Sequence, residues 1–144
     1  MALYKVTTKE AVMLNLETAL NTVTGIQFVD WQRIYNQAID KDKYPGCYLN
    51  DIRVDKTKML SDITKNNWSI GIIGWIWADE TLSENVGTKL NTFYELIKDA
   101  IVLDRSRNSN VYTTNIDAIM VDPGSHFPQG MFSMLLTIIF YSVE

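Results

Sequence analysis

The sequence predicts an α+β fold. The expected form is a two-layer sandwich: a mainly antiparallel sheet with two helices on one face, in the order α-β-β-β-α-β-β, and with a long projecting hairpin. Three observations lead there. Only two stretches, 7–25 and 81–103, combine helical spacing of apolar residues with a start signal. Short turns separate most extended runs, which favours antiparallel pairing. The runs 68–78 and 131–143 are long, and two helices do not readily cover both faces of so wide a sheet.

The first helix opens on Thr7-Thr8-Lys9-Glu10, which fits a capping box with Thr7 as N-cap and Glu10 reaching back. Val12, Leu16, Ala19, Leu20 and Val23 follow at helical spacing, and Gly25 stands where a C-terminal glycine is expected. The segment 27–35 reads as a strand with Phe28, Trp31 and Ile34 as its bulky members. The polar stretch 36–43 reads as a loop.

A second extended segment begins at Tyr44-Pro45, since proline suits a strand's first residue. Ile52, Val54 and Met59 continue it, and Lys65-Asn66-Asn67 reads as a turn. The next strand, 68–78, carries Trp68, Ile70, Ile72 and Ile76 on one face and Ile73, Trp75 and Trp77 on the other. Gly71 and Gly74 suggest a bulge or a close backbone approach.

The second helix opens on another capping box, Thr81-Leu82-Ser83-Glu84. Its stripe is Val86, Leu90, Phe93, Ile97, Ala100 and Ile101, and it ends near Leu103. Its expected length is about 30–33 Å. The strand 111–121 places Tyr112, Ile116, Ala118 and Met120 on one face. A Pro/Gly-rich loop, 122–130, holds two of the three prolines.

The final strand, 131–143, is apolar on both faces. Phe132, Met134, Leu136, Ile138 and Phe140 alternate with Met131, Leu135, Ile139, Tyr141 and Val143, and only Ser133 and Thr137 interrupt the second set. A strand with one solvated face shows polar residues on that side. This one requires cover on both. If the helices take one face, the expected cover for the other is a second copy of the chain. At roughly 3.3 Å per residue the ribbon reaches about 40 Å, longer than the helix meant to cover it.

Composition narrows the function. At 144 residues the chain reads as a single domain, 1–144, able to bury a core without staples. Thirteen basic against 17 acidic residues give a formal charge of −4, which argues against a surface built to grip nucleic acid. The single cysteine, Cys47, cannot form an intrachain disulfide and reads as a small buried hydrophobe. No signal-peptide pattern is visible at the N-terminus, and no apolar run is long enough for a membrane helix. The expectation is a chain made and assembled in a cytosol.

Catalytic constellations are absent from the pattern. His126 is the only histidine, and a base needs an orienting partner. Asp122, Ser125 and His126 lie too close in sequence to converge as a triad. No metal-ligand spacing occurs, and Asp40, Asp42 and Asp55 are interleaved with Lys41, Lys43, Lys56 and Lys58 as on a solvated loop. No phosphate-binding glycine loop precedes a helix. Asp79, Glu80 and Glu84 suit the positive end of the second helix. Trp75 and Trp77 share a face and suit either a stacking platform or core and subunit packing.

The arrangement of elements resembles a known family. The residues that carry the likeness are Gly25-Ile26 after the first helix, the Tyr44-Pro45-Gly46-Cys47-Tyr48-Leu49 strand, and the hairpin leading into 68–78. Ala100 to Asp104 at the end of the long helix, the Asp122-Pro123-Gly124 turn with Pro128-Gln129-Gly130, and the closing strand to Tyr141 complete it. Together, over roughly 9–143, they resemble the tail terminator (tail completion) proteins of long-tailed bacteriophages. The resemblance implies a structural virion protein and no enzyme, with no catalytic, cofactor-binding or metal-binding residues. It implies a hexameric ring that caps the tail tube and joins it to the neck and head-completion proteins. DNA then enters only as cargo in the channel, no membrane is involved, and the place is the tail–neck junction of the virion, assembled in the host cytoplasm. Lys5, Lys9, Lys41, Lys43 and Arg105 are then available to acidic neighbours in adjoining rings.

The expected interface residues are Asp122, Pro123, His126, Phe127 and Pro128 in the loop, and Trp75, Trp77, Leu135, Ile139 and Tyr141 on the strands. Met59 and Leu60 complete the set, and the segment 51–67 is both an expected contact element and a candidate for ordering on assembly. Two alternatives stand beside this reading. One is another phage neck, connector or tail-tube component; the other is a small-molecule-binding or catalytic α+β domain using the tryptophan face.

Overall fold

Each helix begins where a side-chain oxygen replaces a missing backbone partner. In the computed structural model, which describes residues 5–31, 43–59, 62–78, 85–105, 111, 113–122 and 129–143, helix α1 spans Lys9–Asn21. Its cap is Thr8, whose Oγ1 accepts from the Ala11 N–H at 3.2 Å. The sequence pattern places the cap one residue earlier. Thr7 is instead held to the sheet, its N–H donating to the Tyr141 carbonyl at 2.9 Å. Gly25 has φ of 82°, but it serves a turn beyond the helix end and not the cap itself.

Helix α2 spans Val86–Leu103. The Asn85 side chain caps it by accepting from the Thr88 N–H at 3.0 Å. The expected box at Thr81–Glu84 lies outside the described residues. With 18 residues the helix is about 27 Å long, shorter than its sequence suggests because it starts later. Of the expected stripe Val86, Leu90, Phe93, Ile97 and Ile101 are buried, and Ala100 is half-buried against the core.

The described residues form a mixed five-stranded sheet. Its strands are β1 (Phe28–Trp31), β2 (Gly46–Lys58), β3 (Ile63–Trp77), β4 (Thr113–Asp122) and β5 (Gln129–Val143), arranged β1-β2-β3-β5-β4. The fold is α+β, and the element order along the chain is the one the sequence predicts. Strand β1 pairs parallel to β2, while the other three pairs are antiparallel. A parallel neighbour needs a crossover, and most of this one, 32–42, lies outside the described residues.

Three local expectations are corrected. Lys65-Asn66-Asn67 is not a turn but the early part of β3. The Asn66 side chain is buried and donates to Ser142 Oγ at 2.9 Å and to the Phe140 and Thr64 carbonyls at 3.3 Å. A turn-forming residue tolerates a strand interior when its amide finds such partners. The hairpin turns earlier, where the Met59 N–H donates to the Ile63 carbonyl at 2.9 Å.

The second correction concerns the glycines of β3. That strand pairs with β5 without a slip, and the irregularity lies on β2 between Asp51 and Arg53. Gly74 marks a close approach: a Cβ there would sit 2.2 Å from the Phe132 ring. Phe132 is in turn boxed by Phe93 and Tyr94, each with ring centroids at 5.8 Å. Gly71 is under no such constraint, since its nearest neighbour would be at 3.5 Å.

The third correction is in β4. A bulge between Ile116 and Ala118 sets Ile116 opposite Leu136 and Ala118 opposite Leu135. The two therefore lie on opposite faces, not on one face with Met120 as strict alternation implies. The Tyr112 side chain, expected on that face, lies outside the described residues.

One face of the sheet carries the core. Leu49, Trp68, Ile70, Ile72, Phe132, Met134, Leu136 and Ile138 are fully buried in one cluster with the apolar stripes of α1 and α2. Cys47 belongs to it too, as expected of a lone cysteine.

Gly74→Ala is expected to destabilise the fold by about 1–3 kcal/mol through overpacking against Phe132. Gly71→Ala, with room for its methyl, is expected to be neutral or slightly stabilising. Urea denaturation checks both. The cost of Gly74→Ala is expected to shrink in a Phe132→Leu background, which identifies the ring as the cause.

Candidate subunit interface

The second face of β3 and β5 is set by the same ladder that builds the core. Side chains of opposed residues share a face. On this face Trp77 stands opposite Gln129, Trp75 opposite Met131, Ile73 opposite Ser133 and Gly71 opposite Leu135. Then come Ser69 with Thr137, Asn67 with Ile139 and Lys65 with Tyr141. Tyr48 of β2 extends the Ile73 row, and Met120 of β4 extends it on the other side. Most of these residues are half-buried; Leu135 is 37% exposed and Met120 is 74% exposed. Among the described residues no helix packs on this side, because both apolar helix stripes belong to the core on the other.

The open face is not uniform. Its upper half, from Trp77 to Leu135, is mainly apolar, with Gln129 and Ser133 as its polar members on β5. Its lower half mixes Ile139 and Tyr141 with Asn67, Ser69, Thr137 and Lys65. At the upper corner the Tyr44 and Trp77 rings lie 5.7 Å apart, and Gln129 Nε2–H donates to the Tyr44 hydroxyl at 2.8 Å. Burial, with Tyr48 nearby, raises the Tyr44 hydroxyl above its ordinary pKa despite the Gln129 hydrogen bond. It stays neutral, so this corner carries no charge from its tyrosine.

The expected site residues divide accordingly. Trp75, Trp77 and Leu135 lie together in the apolar half, and Ile139 and Tyr141 lie on the same face further down. Asp122 closes β4 opposite Met131, at the upper edge of that face. Met59 sits at the hairpin end and is 39% exposed. Pro123, His126, Phe127, Pro128 and Leu60 lie outside the described residues. The loop expected at 122–130 is shorter, since Asp122 ends β4 and Gln129 and Gly130 begin β5. The segment 51–67, expected as an adaptable contact element, is mostly the two arms of the β2–β3 hairpin.

Two features escaped the sequence reading. One is the exposure of β4 on both faces: Ile119 and Val121, on the helix side, are 38% and 54% exposed. The unbroken apolar run from Ala118 to Val121 was the available signal. The other is a charged knot that ties α1 to the sheet. Lys9 Nζ pairs with Asp51 Oδ2 and lies 5.1 Å from the Trp68 ring centre, while Trp68 Nε1–H donates to Asp51 Oδ1 at 2.8 Å. Trp31 stacks on Trp68 at 5.9 Å, nearly parallel, and its own buried Nε1 has no hydrogen-bond partner among the described residues. Partial burial alone would raise the Asp51 pKa; the hydrogen bonds from Lys9 and Trp68, with the lysine's charge, outweigh it and the net shift is downward.

Among the described residues no group of three or more His, Cys, Asp or Glu is placed to hold a metal ion. The Cys47 thiol is pushed up to about 12 by burial first and by Asp30 second, so it stays protonated and inert. No helix of the described residues is long and apolar enough to cross a membrane. No protein-family model matches the chain, and no curated protein matches it.

The depressed Asp51 pKa has a signed consequence. The stabilisation it lends is present above the ordinary carboxylate range and is lost as pH falls through the lowered folded-state value. Asp51→Asn is expected to lower stability near neutral pH by less than about 1 kcal/mol, because the pair is partly exposed and screened. The gap from the parent is expected to close in acid. Thermal unfolding scanned from neutral to acidic pH checks this.

Proposed function

We propose that this chain is a non-enzymatic structural protein that assembles through its open sheet face. In this reading it forms a ring, with six copies as the expected number, that caps the tail tube of a long-tailed bacteriophage. The ring joins that tube to the neck and head-completion proteins. The observation that carries the reading is the second face of β3 and β5, on which Ile73, Trp77, Met131 and Leu135 have no covering layer among the described residues.

Size supports it. Strands of 4, 13, 15, 10 and 15 residues, at about 3.3 Å per residue and about 4.8 Å between neighbours, give the face roughly 900 Å². A stable interface takes about 800 Å² from each partner. The apolar half alone falls short, so the contact has to include the polar half with Asn67, Ser69 and Thr137. In the finer form of the reading the helices make the outer layer of a two-layer sandwich. The β2–β3 hairpin projects beyond that layer, and its exposed arm from Asp51 to Lys58 reaches a neighbouring copy or the tube. The formal charge of −4 suits a ring through which DNA slides without sticking.

Native mass measurement and negative-stain imaging with tail tubes test the proposal. The parent protein is expected to form closed rings and to sit at one end of the tubes. Leu135→Glu puts a charge at a position already 37% exposed, so the fold is expected to persist while ring formation is lost. A parent protein that stays monomeric and ignores tube ends rules the reading out. Polymerisation into tubes would make it a tube component instead.

A further inference from the structure

Both ends of the segment 8–31 close on one side chain, the indole of Trp68. The segment holds α1, the turn at Gly25 and β1. Near its start Lys9 Nζ lies 5.1 Å from the Trp68 ring centre. At its finish Trp31 stacks on the same indole, 5.9 Å away and within 6° of parallel. Asp51 fixes that indole in turn, its Oδ1 accepting from Trp68 Nε1–H at 2.8 Å while its Oδ2 receives Lys9. One carboxylate on β2 thus holds both the start of the helix and the ring on which the end of β1 rests.

The other polar attachments of the segment are short or costly. Strand β1 is terminal in the sheet and pairs with β2 over four residues, from Phe28 with Gly46 to Trp31 with Leu49. The Gln27 N–H adds one bond to the Pro45 carbonyl at 2.8 Å. Closing Trp31 onto the sheet takes its Nε1–H out of water with no partner among the described residues, which costs free energy. The apolar stripe Val12, Leu16 and Leu20 holds α1 to the core, and α1 also packs on β1. By contrast β3 and β5 are joined over fifteen pairs. Parts with fewer long-range attachments open at lower free energy than such a ladder.

We propose that 8–31 is an acid-released strap: it lifts from the helix side of the sheet as one unit when Asp51 is protonated, while the β2–β3–β5–β4 ladder stays closed. Thr7, whose N–H is bonded to the Tyr141 carbonyl, is its fixed end. A neutral Asp51 loses its ion pair with Lys9, and both grips on Trp68 weaken together. Lys9 from α1 and Trp68 from β3 are the groups that face Asp51. On β2 itself Arg53 and Asp55 pair with each other on the open side, and Lys56 stands two rows further down on the helix side. Glu10, beside Lys9, is exposed. Against the upward push of partial burial, the bonds from Lys9 and Trp68 hold the Asp51 carboxyl below its ordinary range. The closed strap therefore gains above that range and loses the gain as pH falls through the lowered value. The strap lies on the side opposite the open face, so it works whether or not copies assemble there, and the two readings fail separately.

Cys47 reports the opening. It is the single cysteine, it is buried in the cluster that the α1 stripe closes, and it stands opposite Val29 of β1. Its labelling by a dipyridyl disulfide, which stays reactive in acid, is measured relative to the unfolded chain at each pH. Labelling is expected to depend on urea more weakly than global unfolding does, because less surface is exposed. Ile101→Val, in the part of α2 that stays packed, is expected to lower the urea midpoint and leave labelling in water unchanged. Asp51→Asn is expected to speed labelling up to about fivefold at neutral pH, the scale of a partly exposed ion pair. In acid the parent is expected to rise to meet it, whereas Glu10→Gln and Asp55→Asn are expected to behave as the parent does. Labelling with the urea dependence of global unfolding would overturn the proposal. So would a ratio between Asp51→Asn and parent that stays the same from neutral to acidic pH.

Discussion

Fifteen consecutive residue pairs, from Ile63 with Val143 to Trp77 with Gln129, join β3 to β5, and every other element is placed by that ladder. It puts Trp68, Ile70, Ile72, Phe132, Met134 and Leu136 on the side where the helices pack. The remaining side chains are left to a surface no described element covers. A slip of one residue would exchange the two sets. In most half-exposed sheets the contrast between apolar and polar faces prevents that slip. Here both faces are apolar over much of their length, so the contrast is weak. Two local fits supply the missing definition: the Asn66 amide reaches Ser142 and Phe140 only in this register, and Gly74 leaves space for the Phe132 ring only when the two are opposed.

That explains which parts were legible in the sequence. The alternation in 131–143 and 68–78 is a local pattern, and it identifies the buried and open faces correctly. The stripe of α2 is equally local. The misread positions are those where a distant partner overrides local preference. Asn66 looks like a turn residue until Ser142, far along the chain, satisfies its side chain. Thr7 looks like a cap until Tyr141 claims its N–H, and Thr8 takes the role. The bulge at Asp117 has no signature in composition, so alternation alone put Ile116 and Ala118 on one face. The parallel partnership of β1 with β2 depends on a crossover that no short pattern announces. For the candidate interface, Trp75, Trp77, Leu135, Ile139 and Tyr141 were legible because they alternate with core residues. The exposure of Ile119 and Val121 was not, because it reflects how far the helix layer reaches across the sheet.

The charged knot at the start of α1 has a place in this scheme. Asp51 stands next to the irregularity in β2, and Lys9 and Trp68 bind its two oxygens. The helix is thereby attached to the sheet at the point where β2 departs from regular pairing. The N-terminal segment is held at a second point, by Val6 and Thr7 against Tyr141. The first attachment lies at the middle of the ladder, where Asp51 opposes Ile70, and the second at its lower end, so neither is in the tryptophan-rich upper half.

Strand β5 lies between β3 and β4, yet the ribosome makes it after every other strand of the sheet. Until it emerges, the nascent chain holds β3 with one side bare and β4 with no neighbour at all. Phe140 is bonded to an asparagine 74 residues upstream, and closing so long a segment is slow compared with forming a helix or a hairpin. Unpaired strand edges are aggregation-prone, so the interval before β5 emerges is the stage of synthesis at which this sheet is most open to wrong contacts.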